Sequence, residues 1–352
     1  MSIVLGGLAA RAFWTSRLTP LSPTDAKAAL TQSRYSAKTA STIAATQAFQ
    51  MAEPMLRCGQ AARDPLWRPI WDEAGHAVGW RDLPPVPMDY YVGANRRSYP
   101  LKGERRHWVK RFPLQGSILS VDEEPGLFVV SPAAHIVLSA RWVDDVASVI
   151  QAMELCGTYL LRPDTRWGFS RSEKPLTSQG EIQSVVDQCR GLKGVKRARR
   201  SAAAAIAGSA SPMESALTLL LTLPLEQGGY GLPAPLLNPT VATEATARGL
   251  TGGAAALRPD LFWPDAALDL EYDSDTYHGD PSRAEADRGR RTALQIAGVD
   301  PVSVTRSMVA DPDICDNLAR LVARRLGVPF YAPDPAQQRL LRTRLLGRHL
   351  PL

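Results

Sequence analysis

Residues 258–273 read RPDLFWPDAALDLEYD, and this stretch decides the fold of the C-terminal part of the chain. Pro264-Asp265 is a turn signal, because the fixed φ of proline suits the second position of a type I turn. Runs of strand composition flank it at 258–263 and 268–273, so the stretch reads as a β-hairpin. Side chains on a strand alternate faces. Leu268, Leu270 and Tyr272 therefore share one face, and Asp269, Glu271 and Asp273 share the other. With two residues in the turn, Asp260 falls opposite Asp269 and diagonal to Glu271. A slip of one residue would undo that arrangement.

Like charges on neighbouring strands repel, by roughly 0.2–1 kcal/mol per exposed pair. A hard divalent cation would offset the repulsion. Asp260 and Glu271 are the expected ligands for Mg2+ (or Mn2+), an ion that takes one or two carboxylates with waters and phosphate oxygens. Such an ion can hold a scissile phosphate and acidify the attacking water. The alternative is an acidic strand face that is simply solvated.

Downstream, His278 follows in DSDTYHGDP, and Asp280-Pro281 reads as the start of a helix carrying Arg283, Arg288, Arg290 and Arg291. Cations beside a carboxylate pocket suit a phosphodiester substrate, and a soluble helix surface is the plainer reading of the same arginines. Upstream, SPME places Ser211 at an N-cap, Pro212 at the first helical position and Glu214 three residues after the cap, which is a capping-box pattern. A structural role for Glu214 is compatible with a place among the site acids.

The segments SPMES, RPDLFWP, LEYDSDTYH and ADRGRRTALQIAGVDPVSVT together resemble the very-short-patch-repair-like endonucleases, a branch of the PD-(D/E)XK superfamily. The resemblance covers residues 211–327, about a third of the chain. It implies a restriction-endonuclease-like mixed sheet flanked by helices and magnesium-dependent DNA cleavage. Carried over by position, Asp260 is the metal ligand, Glu271 the second acid and Glu214 the helix acid, while His278 and Asp287 match further polar positions. Asp273 stands where the superfamily name implies lysine. Ser274 replaces a usual glycine, and the turn before His278 is longer. The catalytic set implied is thus Asp260, Glu271, Asp273, His278 and Glu214. More distantly, IVLGGLAARAFW and LFVVSPAAHIVL…MELCGTY resemble the region that some proteins place before such a domain, a region like abortive-infection antitoxins. That likeness implies transcriptional regulation or a partner toxin protein.

Composition sets the frame. The 352 residues suit two domains, and 45% apolar with 22% charged residues is ordinary for a folded protein. The division expected is an α+β region over 1–205, the nuclease-like α/β domain over 206–330 and a basic tail helix over 331–352. Cys58, Cys156, Cys189 and Cys315 form no C-x-x-C pair, which favours reduced, buried thiols in a cytoplasmic protein over a structural zinc site. The start MSIVLGGLAARAFW lacks a positive n-region and Arg11 breaks its apolar run, so a strand at 3–5 and a helix from Leu8 are expected rather than a signal peptide. No stretch reaches the roughly 18 apolar residues of a membrane span. Residues 22–62 read as helix, 64–81 as irregular or hairpin, 90–130 as β-rich, 162–176 as loop and 180–206 as one helix.

The charge excess, 41 Lys+Arg against 35 Asp+Glu, is concentrated in two places besides the Arg-rich helix. Residues 96–111 carry Arg105 and Arg106 among aromatics, and 190–200 carry Lys196, Arg197, Arg199 and Arg200. Cations interleaved with rings suit DNA, since arginines meet phosphates while rings stack on bases. With Arg283, Arg288 and Arg291 they form the expected nucleic-acid-binding set. Three functions compete: a metal-dependent DNA endonuclease in defence or repair, a non-catalytic DNA-binding regulator or antitoxin on a degenerate nuclease fold, and a structural interaction protein.

Overall fold

The structure, a computed structural model, describes the chain except residues 1–2, 17–20, 34–36, 62–63, 65–67, 69, 93–102, 110–114, 123, 244, 274–280 and 347–352. At a few helical positions, 281–284 among them, only the backbone is described. His278 and the side chain of Arg283 therefore lie outside the described residues. The chain is a mixed α/β protein that divides into two compact units, Met1–Ala205 and Ile206–Gly347. Among the described residues no helix is long and apolar enough to cross a membrane.

The first unit runs β1 (Ile3–Leu5), α1 (Gly7–Ser16), β2 (Leu21–Pro23), α2 (Ala26–Gln32), α3 (Ala37–Ala45), α4 (Gln47–Ala61), β3 (Ile70–Trp71) and β4 (Ala77–Val78). It continues β5 (Met88–Val92), β6 (Glu104–Trp108), β7 (Ile118–Val121), β8 (Leu127–Val130), α5 (Pro132–Ser139) and α6 (Asp145–Leu155). It closes with β9 (Tyr159–Leu161), β10 (Phe169–Arg171), α7 (Gln179–Gln188) and α8 (Val195–Ala204). A six-stranded mixed sheet has the order β2-β7-β8-β1-β5-β6, with β1 parallel to β8 and β5 parallel to β6. The apolar run Ile3–Leu5 lies inside that sheet and is wholly buried, as a strand covered on both faces must be. Phe13 and Trp14 of α1 pack with Phe49, Met55 and Leu56 of α4 against Leu127 and Val129.

Three sequence expectations fail here, each for a local reason. Residues 21–23 are not helical: they pair with β7, and the helix starts after Asp25, whose side chain accepts from the Lys27 and Ala28 amides. The stretch 162–176 contains β10, which closes a hairpin on β9. The helix expected over 180–206 is two, separated at Gly191 and Gly194, both at positive φ. A side chain at Gly194 would run into the backbone of Ala140 and Arg141, so the chain reverses there and α8 folds back onto α6.

Arg11, the residue that breaks the apolar start, is buried on α1 and pairs with Glu154 of α6, which also accepts from the Leu161 amide at 2.9 Å. Removing one partner of such a pair leaves a buried uncompensated charge, at a cost of about 3–5 kcal/mol. Glu154→Ala is therefore expected to destabilise the first unit by about that much in denaturant unfolding, and Arg11→Met with Glu154→Leu to recover most of it. Additive losses in the double variant would contradict the pairing.

The second unit runs α9 (Pro212–Thr222), β11 (Leu236–Leu237), β12 (Val241–Ala242), β13 (Ala256–Leu257), β14 (Leu261–Trp263) and β15 (Leu268–Asp273). It continues α10 (Pro281–Ile296), β16 (Asp300–Thr305), α11 (Arg306–Ala310), α12 (Pro312–Leu326) and α13 (Pro335–Leu346). Its sheet has the order β11-β14-β15-β16, antiparallel except for the β15–β16 pair. The tail helix α13 packs against α9 with Leu341 buried, which makes it part of this unit.

Candidate functional site

The hairpin β14–β15 forms, but its register differs from the two-residue turn expected. The pairs are Leu261↔Leu270, Phe262↔Asp269 and Trp263↔Leu268, so residues 264–267 all belong to the loop. Pro264–Ala266 make a 3-10 turn, and Ala267 closes it in the left-handed region at φ 47°. Ala267 N donates to Pro264 O at 3.0 Å. The shift is an even number of residues, so the faces are preserved. Continuing the ladder by one pair sets Asp260 across from Glu271 rather than from Asp269. Leu268 and Leu270 are buried on one face, and the acids share the other with Phe262.

Helix α10 covers that acidic face. Ala293 and Leu294 cluster with Leu257, Val299 and Phe262, and one turn earlier on the same side stands Arg290. Its two terminal nitrogens donate to Glu271, Nη1 to Oε2 at 2.6 Å and Nη2 to Oε1 at 3.0 Å. Nη2 also donates to the Arg258 carbonyl and lies 3.9 Å from Asp260 Oδ1. Asp260 Oδ2 accepts from the Tyr272 amide at 2.8 Å. The helix approaches closely because residue 289 is glycine: a Cβ there would run into the Leu250 carbonyl oxygen.

Asp269 is wholly buried. Its Oδ1 accepts from the Leu261 amide at 3.2 Å, and its Oδ2 has no hydrogen-bond partner among the described residues. Leaving such an oxygen unsatisfied costs about 1–3 kcal/mol. Glu214 enters from α9. Ser211 caps that helix by accepting from the Glu214 amide at 3.1 Å. The Glu214 carboxylate accepts from Ala210 N at 2.8 Å and from Asn238 Nδ2 at 2.7 Å, rather than from the cap residue as a capping box would require. Asn238, at φ 48°, also donates its backbone N–H to the Asp260 carbonyl at 3.1 Å, and so ties the helix acid to the hairpin acid.

The carboxyls act on one another. Burial, then the charges of Glu271 and Glu214, push Asp260 up to about 8, against the Tyr272 amide and Arg290. Burial and the adjacent Asp269 carboxyl push Glu271 up as well, with Arg290 opposing. Burial raises Asp269 to about 6. Glu271 and Asp269 also share a carboxyl–carboxyl hydrogen bond that raises Glu271 and lowers Asp269, so the proton of that pair sits on Glu271 in spite of the Arg290 fork. Among the described residues no three His, Cys, Asp or Glu side chains converge to hold a metal ion in this arrangement. The donor set is nonetheless of the right kind: carboxylate oxygens suit Mg2+ or Mn2+, and the orphaned Asp269 Oδ2 offers a free lone pair.

Of the remaining site residues, Asp273 is half exposed and pairs with Arg291 at 3.7 Å. Arg291 also donates to Ser303 Oγ. Arg288 and Asp287 are exposed. In the first unit, Arg197 and Arg200 both hold Asp145, at 2.6 and 2.8 Å, and Arg199 pairs with Asp187 at 3.7 Å. Burial pushes Asp145 up, but the hydrogen bonds from Arg197 and Arg200 outweigh it and hold its carboxyl below the usual range. Lys196 is exposed. Arg105 lies 3.6 Å from Asp89, and Arg106 stacks over Trp108 at 5.3 Å. All four cysteines are free and buried. Sequence reasoning missed the roles of Arg290, Asn238 and Asp269. Arg290 could have been found from its spacing to Ala293 and Leu294, the buried face of the helix.

No protein-family model matches the chain, and no solved structure matches it. It is similar to two proteins of Mycobacterium tuberculosis, Uncharacterized protein Rv2248 of strain H37Rv and Uncharacterized protein MT2308 of strain CDC 1551. Each is 30% identical over 121 residues, 34% of this chain and 40% of the relative. The chain thus spans about two fifths of the length of these relatives.

The raised acids carry a sign. A carboxyl that keeps its proton to higher pH when folded stabilises the fold below its unfolded pKa, and that stability is lost as pH rises through the folded value. For Asp260 the loss falls between the ordinary aspartate range and about 8. Asp260→Asn keeps the acceptor for the Tyr272 amide and removes the titration. Between pH 5 and 8 the variant should gain stability relative to the natural protein in urea unfolding, without added divalent ions. A constant difference across that range would contradict the raised acid.

Proposed function

We propose that the C-terminal unit is a restriction-endonuclease-like domain and that the protein is a metal-dependent DNA endonuclease acting in the cytoplasm, in defence or repair. The observation that carries this reading is the gathering of Asp260 and Glu271 across one hairpin, with Glu214 tied to Asp260 through Asn238. Acids brought together against their mutual repulsion suit a divalent cation, which would be Mg2+ or Mn2+ held by Asp260 and Glu271. The hairpin, the Arg-bearing helix and the parallel strand after it follow one another as the resemblance to the very-short-patch-repair-like endonucleases implies. The test is nicking of supercoiled plasmid by the full chain with Mg2+ or Mn2+, against a chelator control. Cleavage should require the ion, and Asp260→Ala should reduce it at least a hundredfold. Equal backgrounds in the natural protein and the variant would sink the enzyme reading.

A second reading is favoured by one contact, the fork of Arg290 on Glu271. A guanidinium that neutralises the acids permanently makes the unit a non-catalytic DNA-binding regulator, or an antitoxin with a partner toxin. This reading expects DNA binding without cleavage in Mn2+. If six to ten cations meet phosphates, affinity should fall by about 10³–10⁵ between 50 and 200 mM salt in a fluorescence-anisotropy titration. A flat salt profile would remove DNA as the partner.

A further inference from the structure

We infer that Asp269 is the third oxygen ligand of a divalent-cation site formed with Asp260 and Glu271, and that Arg290 holds the place of that cation in its absence. The inference rests on the metal-dependent reading above and adds a ligand and a conformational step to it. Asp269 is the starting point. It is fully buried on the same face as Glu271, two residues away, and Oδ2 finds no partner among the described residues. A solvated surface acid needs no partner; this one is out of reach of water, and the neighbour that shares a hydrogen bond with its carboxyl is another acid, Glu271.

Arg290 does not meet that need. Its donors go to Glu271 and the Arg258 carbonyl, and its nearest approach to Asp260 is 3.9 Å. One guanidinium charge therefore faces three carboxyls. A divalent ion brings twice the charge, and it binds carboxylate oxygens at about 2.0–2.1 Å in the case of Mg2+. At that distance it cannot share both Glu271 oxygens with the arginine fork. The two cations are alternatives. The three carboxyls do not converge on one point while the fork is in place, so the exchange turns their side chains as well; it requires little of the backbone, because the Arg290 side chain is 36% exposed and can leave toward solvent. The backbone of α10 stays, because Gly289 is seated on the Leu250 carbonyl and Ala293 and Leu294 are in the core.

The test is Mn2+ titration of the full chain without DNA, read by electron paramagnetic resonance of the free ion. Arg290→Gln should bind Mn2+ at least tenfold more tightly than the natural protein. Asp269→Asn placed in that background should lose at least tenfold of the affinity, and Asp260→Asn likewise. Arg290→Lys, whose single ammonium cannot fork Glu271, should gain severalfold and serves if the glutamine variant does not fold. No gain in either Arg290 variant with an unchanged thermal unfolding profile overturns the placeholder. Unchanged affinity on adding Asp269→Asn overturns the third ligand. Because binding is read without substrate, a natural protein that never cuts DNA would end the nuclease reading alone. A natural protein that cuts DNA while Asp269→Asn leaves Mn2+ affinity and cleavage intact would end this inference alone.

Discussion

The second unit depends on a single electrostatic constraint: acids on one face of a hairpin must be compensated, and Arg290 of α10 supplies one charge toward it through its fork on Glu271. Without a cation, Asp260, Asp269 and Glu271 would repel across β14 and β15 while their burial removed the screening of water. The forked contact fixes the azimuth of α10 over the sheet. It also places Ala293 and Leu294 where they can pack with Phe262, which shares the acidic face. Charge compensation and helix docking are thus one event. The glycine beside the arginine permits it, since any side chain at 289 would hold the helix off Leu250.

What the sequence made legible is parity, and what it left open is register. Strand alternation puts Asp260 and Glu271 on a common face for any even shift of the hairpin. That is why the acids still meet although the loop is longer than a two-residue turn. Turn chemistry alone does not distinguish those shifts. Pro264-Asp265 fits a type I turn, and nothing local announces that Ala267 will take a left-handed conformation to extend it. Glu214 was legible as a residue of the helix cap. Its second role depends on Asn238, which lies 24 residues away in sequence and is brought back by β11.

The cations were the least legible part. Arg283, Arg288, Arg290 and Arg291 look alike in a string, yet in the fold Arg288 is exposed, Arg290 lies among the acids, and Arg291 pairs with Asp273. The same sorting happens in the basic run before the second unit. Arg197 and Arg200 clasp Asp145 because the break at Gly191 and Gly194 folds α8 onto α6, a reversal that an uninterrupted helix over 180–206 would forbid. Charge clusters in sequence therefore overstate the charge that is offered to a partner. Each cation held by an intramolecular carboxylate leaves the count, and that count sets the salt dependence of any DNA binding.

Two arginine–glutamate pairs, Arg11–Glu154 and Arg290–Glu271, differ in their surroundings and so in their capacities. Arg11 and Glu154 are both below a tenth exposed, so separating them would strand two charges in the core. Glu154 is further committed to the Leu161 amide, and the pair can act only as a structural bolt between α1 and α6. Arg290 is more than a third exposed at its side chain, while Glu271 is largely covered. Breaking that pair returns the arginine to water and leaves only the acids in need of a partner. The asymmetry makes exchange of one cation for another feasible in the second unit and prohibitive in the first. The exposure of Arg290 is the feature that separates a replaceable cation from a fixed one.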